Sequence, residues 1–286
     1  MSISRLLVDR AGARGLMMAT ALWLTSTMAM ADLMLYPTRV VFEKDQRAAQ
    51  VELVNQGKTP ETYRISLVNR RMSETGEFMV ITEPGPGEQF SDSMLRYSPR
   101  QVTIAPGTSQ TVRILLRKPA ELAPGEYRSH LQFDRVADAS GTSSVEELKK
   151  NNSGGMGVVL SALVGASIPV IVRHGDTQAQ VSLSGLTWLP GDSQQAPALG
   201  FELHRDGNRS VYGDLSVTFT PKDGQAMELA KASGVAVYAP NSLRRARIPL
   251  KTPTGTVLAG GSLRVVYRER AEAGGRVMAD ATLALP

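Results

Sequence analysis

Three histidines are the side chains of this chain best suited to metal binding or to proton transfer near neutral pH. They are His130, His174 and His204, and they lie far apart, with none of the spacings that zinc or redox-metal sites use. No serine lies in a nucleophile-elbow context, and the glycine-rich stretches precede predicted strands, so no phosphate-binding loop is expected. We therefore predict no metal, no cofactor, no small-molecule substrate and no enzymatic activity. Sequence spacing does not test a triad that folding would assemble in space.

The charge and cysteine content exclude further classes of protein. The 286 residues carry a formal net charge of +5 and include no cysteine. There is no block of Lys and Arg and no interleaving of basic with aromatic residues, so we predict no nucleic-acid partner. Because no disulfide can form, the stability of the fold must come from hydrophobic cores of adequate size.

Residues 1–31 have the order of features that defines a secretory signal peptide. Arg5, Arg10 and Arg14 form a basic region, Leu16 to Met28 an apolar region, and Ala29-Met30-Ala31 a small-residue cleavage site. An uncleaved anchor helix would need a longer apolar stretch than about 13 residues. We predict export to the periplasm and cleavage after Ala31, which lowers the net charge to about +3 because three Arg and one Asp are removed.

An uncharged stretch in the middle of the chain, "GGMGVVLSALVGASIPVIVR" from Gly154 to Arg173, allows several structures. Its glycines and Pro169 argue against a transmembrane helix. As a strand, its even-numbered residues from Met156 to Ile168 form one continuous apolar face, while the opposite face is mixed. Two interpretations remain open: a strand buried on both sides, or an edge strand that offers an apolar row to another protein.

Most of the remaining sequence has the alternation and turn spacing of short β-strands. In "ETYRISLVNRRM", for example, apolar and polar residues alternate, and turn signals recur about every 8 to 12 residues. Two runs of strands meet near "HGDTQ", which begins at His174. We predict an all-β fold of two immunoglobulin-like β-sandwich domains, residues 32–173 and 174–286.

Four motifs occur in an order that is similar to one known family: "YPTRVVF", "VELVNQGKTPETYRISL", "TIAPGTSQTVRILL" and "SIPVIVRHG". Over nearly the whole exported chain the sequence resembles the PapD-type periplasmic pilus chaperones. The resemblance implies two immunoglobulin-like domains in a boomerang arrangement. It also implies a chaperone that donates a strand to an incomplete pilin or fimbrial subunit, caps it, and delivers it to an outer-membrane usher.

The resemblance assigns roles to residues of this sequence. Arg39 in "TRVVF" corresponds to the family's cleft arginine, which grips the carboxylate at the subunit's C-terminus through bidentate, charge-assisted hydrogen bonds. The side chains that would enter the subunit's groove are Val158, Leu160, Ala162 and Val164.

Two further features of the family concern charge. A buried ionic trio between the domains would consist of Glu126, Arg173 and Glu272, which would fix the hinge angle. The family's second cleft cation, a lysine, falls here on Pro169, which has neither charge nor backbone donor. Another cation must serve, Arg39 acts alone, or the chain anchors its partner differently.

A second class of function stays open from the sequence. Tandem β-sandwiches also serve as secreted structural or adhesive modules, and a fold alone does not determine function. The sequence also leaves open whether the free protein caps its own strand by forming a dimer.

Overall fold

The computed structural model describes residues 33–136, 165–192, 195–253, 256 and 258–286. The predicted signal peptide lies outside these ranges, and residues 32–286 belong to one compact unit. The described residues form strands and two short 3-10 helices arranged as β-sandwiches, which confirms the predicted all-β class. No helix in these ranges has the length and hydropathy that a membrane span requires.

The first sandwich comprises two sheets with the strand orders β1-β3-β8-β6 and β2-β10-β9-β4-β5, and β7 pairs with β4 beside the second order. Its strands are β1 (Leu33–Tyr36), β2 (Val40–Phe42), β3 (Ala48–Asn55), β4 (Glu61–Met72), β5 (Phe78–Ile81), β6 (Leu95–Ser98), β7 (Gln101–Ile104), β8 (Ser109–Leu116), β9 (Gly125–Arg135) and β10 (Ala166–His174). A 3-10 helix, Asp92–Met94, precedes β6.

Alternating side chains explain how these sheets enclose a core. In β4 the side chains of Tyr63 and Ile65 are buried, while Arg64 between them is exposed, as the period of two requires. Buried residues of β2, β3, β6, β7, β8, β9 and β10 belong to the same cluster. This burial is the main stabilising contribution in a domain without disulfides.

The first strand run of the sequence is divided between the two sheets. The stretch "MLYPTRVVFEKDQRAAQVELVN" predicts one strand on each side of a polar turn, but the part before the turn is divided: β1 pairs with β3, while β2 pairs with β10 in the opposite sheet. Pro37 follows β1 directly, and because proline has no backbone N–H it cannot continue the hydrogen-bonded ladder.

The second sandwich comprises sheets with the orders β11-β12-β15 and β14-β13-β16-β17. Its strands are β11 (Ala179–Leu189), β12 (Ala198–Gly207), β13 (Val211–Pro221), β14 (Met227–Val237), β15 (Leu243–Pro249), β16 (Gly261–Glu269) and β17 (Val277–Leu285). The 3-10 helix Ala271–Ala273 lies between the last two strands. A separate core, which includes Phe219 and Tyr267, holds these sheets together.

A third, small apolar cluster joins the two sandwiches. Met72 of β4 and Ile171 of β10 pack with Ala236 of β14 and with Tyr238, which follows that strand. The outer face of the sheet that contains β10 is therefore covered in part by the second sandwich. The domain boundary that we expect at residue 174 falls between β10 and β11, and it stays a prediction.

Candidate functional site

The four predicted donor residues, Val158, Leu160, Ala162 and Val164, lie outside the described residues. The structure therefore does not test their role. The description resumes at Gly165, and β10 begins at Ala166.

One edge of β10 is open over its first half. The strand pairs antiparallel with β9 from Ala166 to His174, but its parallel pairing with β2 covers only Val170–Val172. Within the described ranges, Ala166–Pro169 therefore has a neighbouring strand on one side only. Unpaired backbone groups at such an edge can accept a strand from another chain.

The opposite sheet ends at the same side of the sandwich. β1 pairs only with β3 in the described part of the chain, and three residues separate it from β2, the partner of β10. Leu33 and Leu35 pack towards the core, whereas Met34 and Tyr36 are exposed. Among the described residues, both sheets thus present an incompletely paired strand on this side, and we name Leu33–Tyr36 and Ala166–Pro169 together the open edge.

Arg39 lies between the two sandwiches. Its guanidinium carbon is 4.6 Å from the ring centroid of Tyr212 and 5.4 Å from that of Tyr238. The Nη1 group donates to the phenolic oxygen of Tyr238 over 3.3 Å. The side chain is half-buried, so the cation is held against two aromatic rings of the second sandwich.

A second arginine, which sequence reasoning missed, contacts the same tyrosine. Arg128 of β9 lies opposite Ile171 in the strand register, and its guanidinium carbon is 4.2 Å from the Tyr238 ring centroid. Its residue exposure is only 7%, and its Nη2 donates to the carbonyl of Arg70 over 3.2 Å. Desolvation by burial lowers the pKa of Arg128, although a guanidinium stays charged at physiological pH.

His130 lies next to Arg128 on the same face of β9 and is the neighbour of Pro169 in the register. Burial, with smaller contributions from Arg128, Arg70 and Arg39, lowers the pKa of His130 to about 3. The imidazole is therefore neutral at pH 7, and the Phe78 ring packs edge-on against it at 5.3 Å. It does not supply the cation that Pro169 lacks.

Two members of the predicted ionic trio lie together. The Nε of Arg173 is 3.0 Å from an oxygen of Glu126, whose side chain is 1% exposed. Ser210 of the second sandwich donates its backbone N–H to the same carboxylate over 3.2 Å and its hydroxyl as well. The second acid on Arg173 is Glu43, whereas Glu272 is 70% exposed and pairs with Arg270 at 3.3 Å.

A serine, a histidine and an acid meet on the surface of the second sandwich. The hydroxyl of Ser184 is 2.7 Å from Nε2 of His204, and a carboxylate oxygen of Glu202 is 3.3 Å from that same nitrogen. In a catalytic triad the acid contacts the other ring nitrogen and leaves Nε2 to the serine. This arrangement is therefore not that of a triad. No group of three or more His, Cys, Asp or Glu within the described ranges could hold a metal ion.

Solved structures of pilus chaperones are similar to this chain over about nine-tenths of its length. A chain of the CsuC–CsuE chaperone–tip adhesion subunit complex of Acinetobacter baumannii is 15% identical with a TM-score of 0.45, and the match covers 90% of this chain and 100% of that one. The CupB2 chaperone of Pseudomonas aeruginosa is 14% identical with a TM-score of 0.40, covering 87% and 98%. A chain of the SafA pilin–SafB chaperone complex of Salmonella enterica is 12% identical with a TM-score of 0.41, covering 90% and 97%.

No protein-family model matches the chain, and no curated protein does. We therefore argue function from the residues of this chain.

Proposed function

We propose that this protein is an exported chaperone that binds incomplete pilin-type subunits by adding one of its own strands to them. The open edge is the observation that carries the proposal. The uncharged segment 154–165 directly precedes Ala166–Pro169 in the sequence, and Ala166–Pro169 has a neighbouring strand on one side only among the described residues. A subunit that lacks a strand needs such an edge, because added backbone hydrogen bonds supply affinity and alternate side chains supply specificity.

The period of two assigns the donated face. Ile168 and Val170 of β10 point into the core, and even-numbered residues upstream would share their face if the strand continues. Val158, Leu160, Ala162 and Val164 would then form one apolar row for the subunit's groove. Filling a groove stabilises a complex by roughly 25 cal/mol per Å² of apolar surface removed from water. The small Ala162 would meet a shallow pocket.

Arg39 would anchor the subunit's C-terminal carboxylate. It lies in the short connection between β1 and β2, at the open edge and beside the second sandwich. A guanidinium can hold a carboxylate through two parallel hydrogen bonds, which fixes the register of an added strand. Periplasmic location, cleavage after Ala31 and delivery to an outer-membrane usher complete the proposal. It requires neither nucleotide nor metal.

Co-expression with pilin-like genes from the same neighbourhood tests this function. The unmodified chain should be recovered in a stoichiometric complex with a subunit, and Leu160→Asp should abolish recovery because a charge cannot enter an apolar groove. Ser161→Asp, one residue further on the opposite face, is the matched control and should retain the complex. Arg39→Ala should lower the yield by about tenfold, the size expected for one lost charge-assisted hydrogen-bond pair.

The melting temperatures of the free Leu160→Asp and Arg39→Ala variants show whether a lower yield of complex reflects lost binding or misfolding. Recovery that is the same with Leu160→Asp as without it would contradict strand donation and favour a secreted structural or adhesive module. A normal yield with Arg39→Ala would contradict only the carboxylate anchor.

A further inference from the structure

Two positively charged side chains share one aromatic ring between the sandwiches. Arg128 lies 4.2 Å and Arg39 5.4 Å from the ring centroid of Tyr238. Neither guanidinium forms an ion pair with any residue of the described ranges. Two guanidinium groups beside the same ring repel each other, and the attraction of each cation to the ring offsets this repulsion only in part.

Arg128 is the more unusual of the two. Its Nε and Nη1 are buried and have no hydrogen-bond partner among the described residues. The acids whose charge acts on it are Glu126 and Glu88, but Glu126 is paired with Arg173, and Glu88 accepts two bonds of 2.7 Å from Arg71. A buried guanidinium with two free donors and no committed acid is a group that an anion would satisfy.

The surroundings indicate the class of anion. Apolar side chains, Ile171 and Met72, pack beside the ring, and Phe78 lies 6.0 Å from the Arg128 guanidinium. A small planar monoanion with an apolar substituent fits two arginine forks in such surroundings better than a strongly hydrated phosphate dianion. A carboxylate at the end of a polypeptide chain has these properties.

We propose that Arg128 and Arg39 together form a carboxylate site, and that Tyr238 keeps this site closed in the free chain until the ligand takes the place of its ring. That the carboxylate belongs to the C-terminus of a bound subunit rests on the proposed function. Arg128 of β9 then supplies the second cation, which the neighbouring strand β10 does not supply because it has Pro169 at the corresponding position.

The position of Tyr238 couples this closure to the contact between the sandwiches. The amide of Ala239, the next residue, donates to Ser210, which also binds Glu126. Asn241 donates its side-chain amide to the carbonyl of Met72 over 2.7 Å. The residues that follow the ring are thus linked to the first sandwich, through Ser210 and Glu126 and directly through Met72, and withdrawing the ring requires these bonds or the ring rotamer to change.

Acetate provides a probe that needs no subunit. We would titrate the exported chain with sodium acetate at constant ionic strength, using chloride as the compensating ion, and follow the arginine Nε–H signals by NMR. In Tyr238→Ala the Arg128 signal should shift saturably, with an apparent affinity about tenfold or more above that of the unmodified chain, since removing a closed state removes its penalty. We would also follow the Arg39 signal, whose saturable shift should be lost when Arg128→Gln is added to Tyr238→Ala.

Three controls make the result decisive. Tyr36→Ala removes a tyrosine that is 71% exposed at β1, and it should bind acetate as weakly as the unmodified chain. If Tyr238→Ala does not fold, Tyr238→Leu takes its place in the experiment. The leucine keeps an apolar side chain in the cluster that joins the sandwiches, and it should give the same gain in acetate affinity. Leu160→Asp in the Tyr238→Ala background should leave acetate binding intact, so loss of subunit recovery and loss of the anion site are distinguishable.

Equal acetate affinity with and without Tyr238 would overturn the closure. Saturable binding that persists after Arg128→Gln, or binding of inorganic phosphate in preference to acetate, would overturn the assigned site.

Discussion

Two buried arginines, Arg128 and Arg205, occupy opposite chemical situations. Arg205 of β12 is 5% exposed and Arg128 is 7% exposed. Arg205 donates to four backbone carbonyls, those of Gly207, Arg209, Pro240 and Asn241, whereas Arg128 has one such bond and two free donors. At similar burial, the Arg205 guanidinium therefore stabilises the fold, whereas the Arg128 guanidinium has donors free for a ligand.

Methionine substitutions measure this difference. We expect Arg205→Met to lower the free energy of unfolding by about 3–5 kcal/mol, because it leaves buried carbonyls without donors. Arg128→Met should leave it unchanged or raise it, because an uncompensated buried charge is replaced by apolar volume. Urea unfolding monitored by circular dichroism provides both values. Similar losses for the two variants would contradict an uncommitted Arg128.

His130 should make the protein sensitive to acid. Its pKa is lowered to about 3 in the fold from 6.5, so between these values the unfolded chain binds a proton that the folded chain does not. Stability is present above pH 6.5 and is lost as the pH falls towards 3, by up to about 1.4 kcal/mol per pH unit. Urea unfolding at pH 7 and pH 4.5 should show a smaller loss for His130→Gln. His204→Gln, at a half-buried position on the surface of the second sandwich, serves as control, and equal slopes in all three proteins would refute the assignment.

At the scale of strands, alternation was enough to predict the sheets but not their edges. The period of two in "ETYRISLVNRRM" places Tyr63 and Ile65 in the core, as β4 confirms. The division of the first run into β1 and β2 was not predicted, because sheet membership depends on which distant strand is available for pairing. The open edge follows from that division.

Charged residues on strand faces were the least predictable part of the site. In "GEYRSHLQF" the alternation leaves Glu126, Arg128 and His130 on the face away from the core, where charges are ordinarily solvated. Glu126 and Arg128 are covered by Ser210 and Tyr238 of the second sandwich, and His130 by Phe78 of β5, all contacts between distant parts of the chain. Glu43, and not Glu272, is the second acid on Arg173 because the parallel pairing of β2 with β10 brings the residue after Phe42 beside the residue after Val172.

At the scale of the whole molecule, one carboxylate connects the two sandwiches. Glu126 accepts from Arg173 in the first sandwich and from Ser210 in the second. We expect the unmodified chain to unfold in one calorimetric transition, and Glu126→Ala to separate it into two, since breaking a buried pair costs about 3–5 kcal/mol. Glu272→Ala, at a largely exposed position, should change the melting temperature little. A single, unshifted transition for Glu126→Ala would show that the sandwiches are coupled by other contacts.

The open edge also has a consequence for supply inside the cell. Strands without a partner aggregate with one another without specificity. A molecule that exposes such a strand is therefore prone to aggregate whenever it is in excess over the chains that would cover the strand. Under the proposed function, synthesis of this protein would have to match that of the subunits it binds in amount and timing.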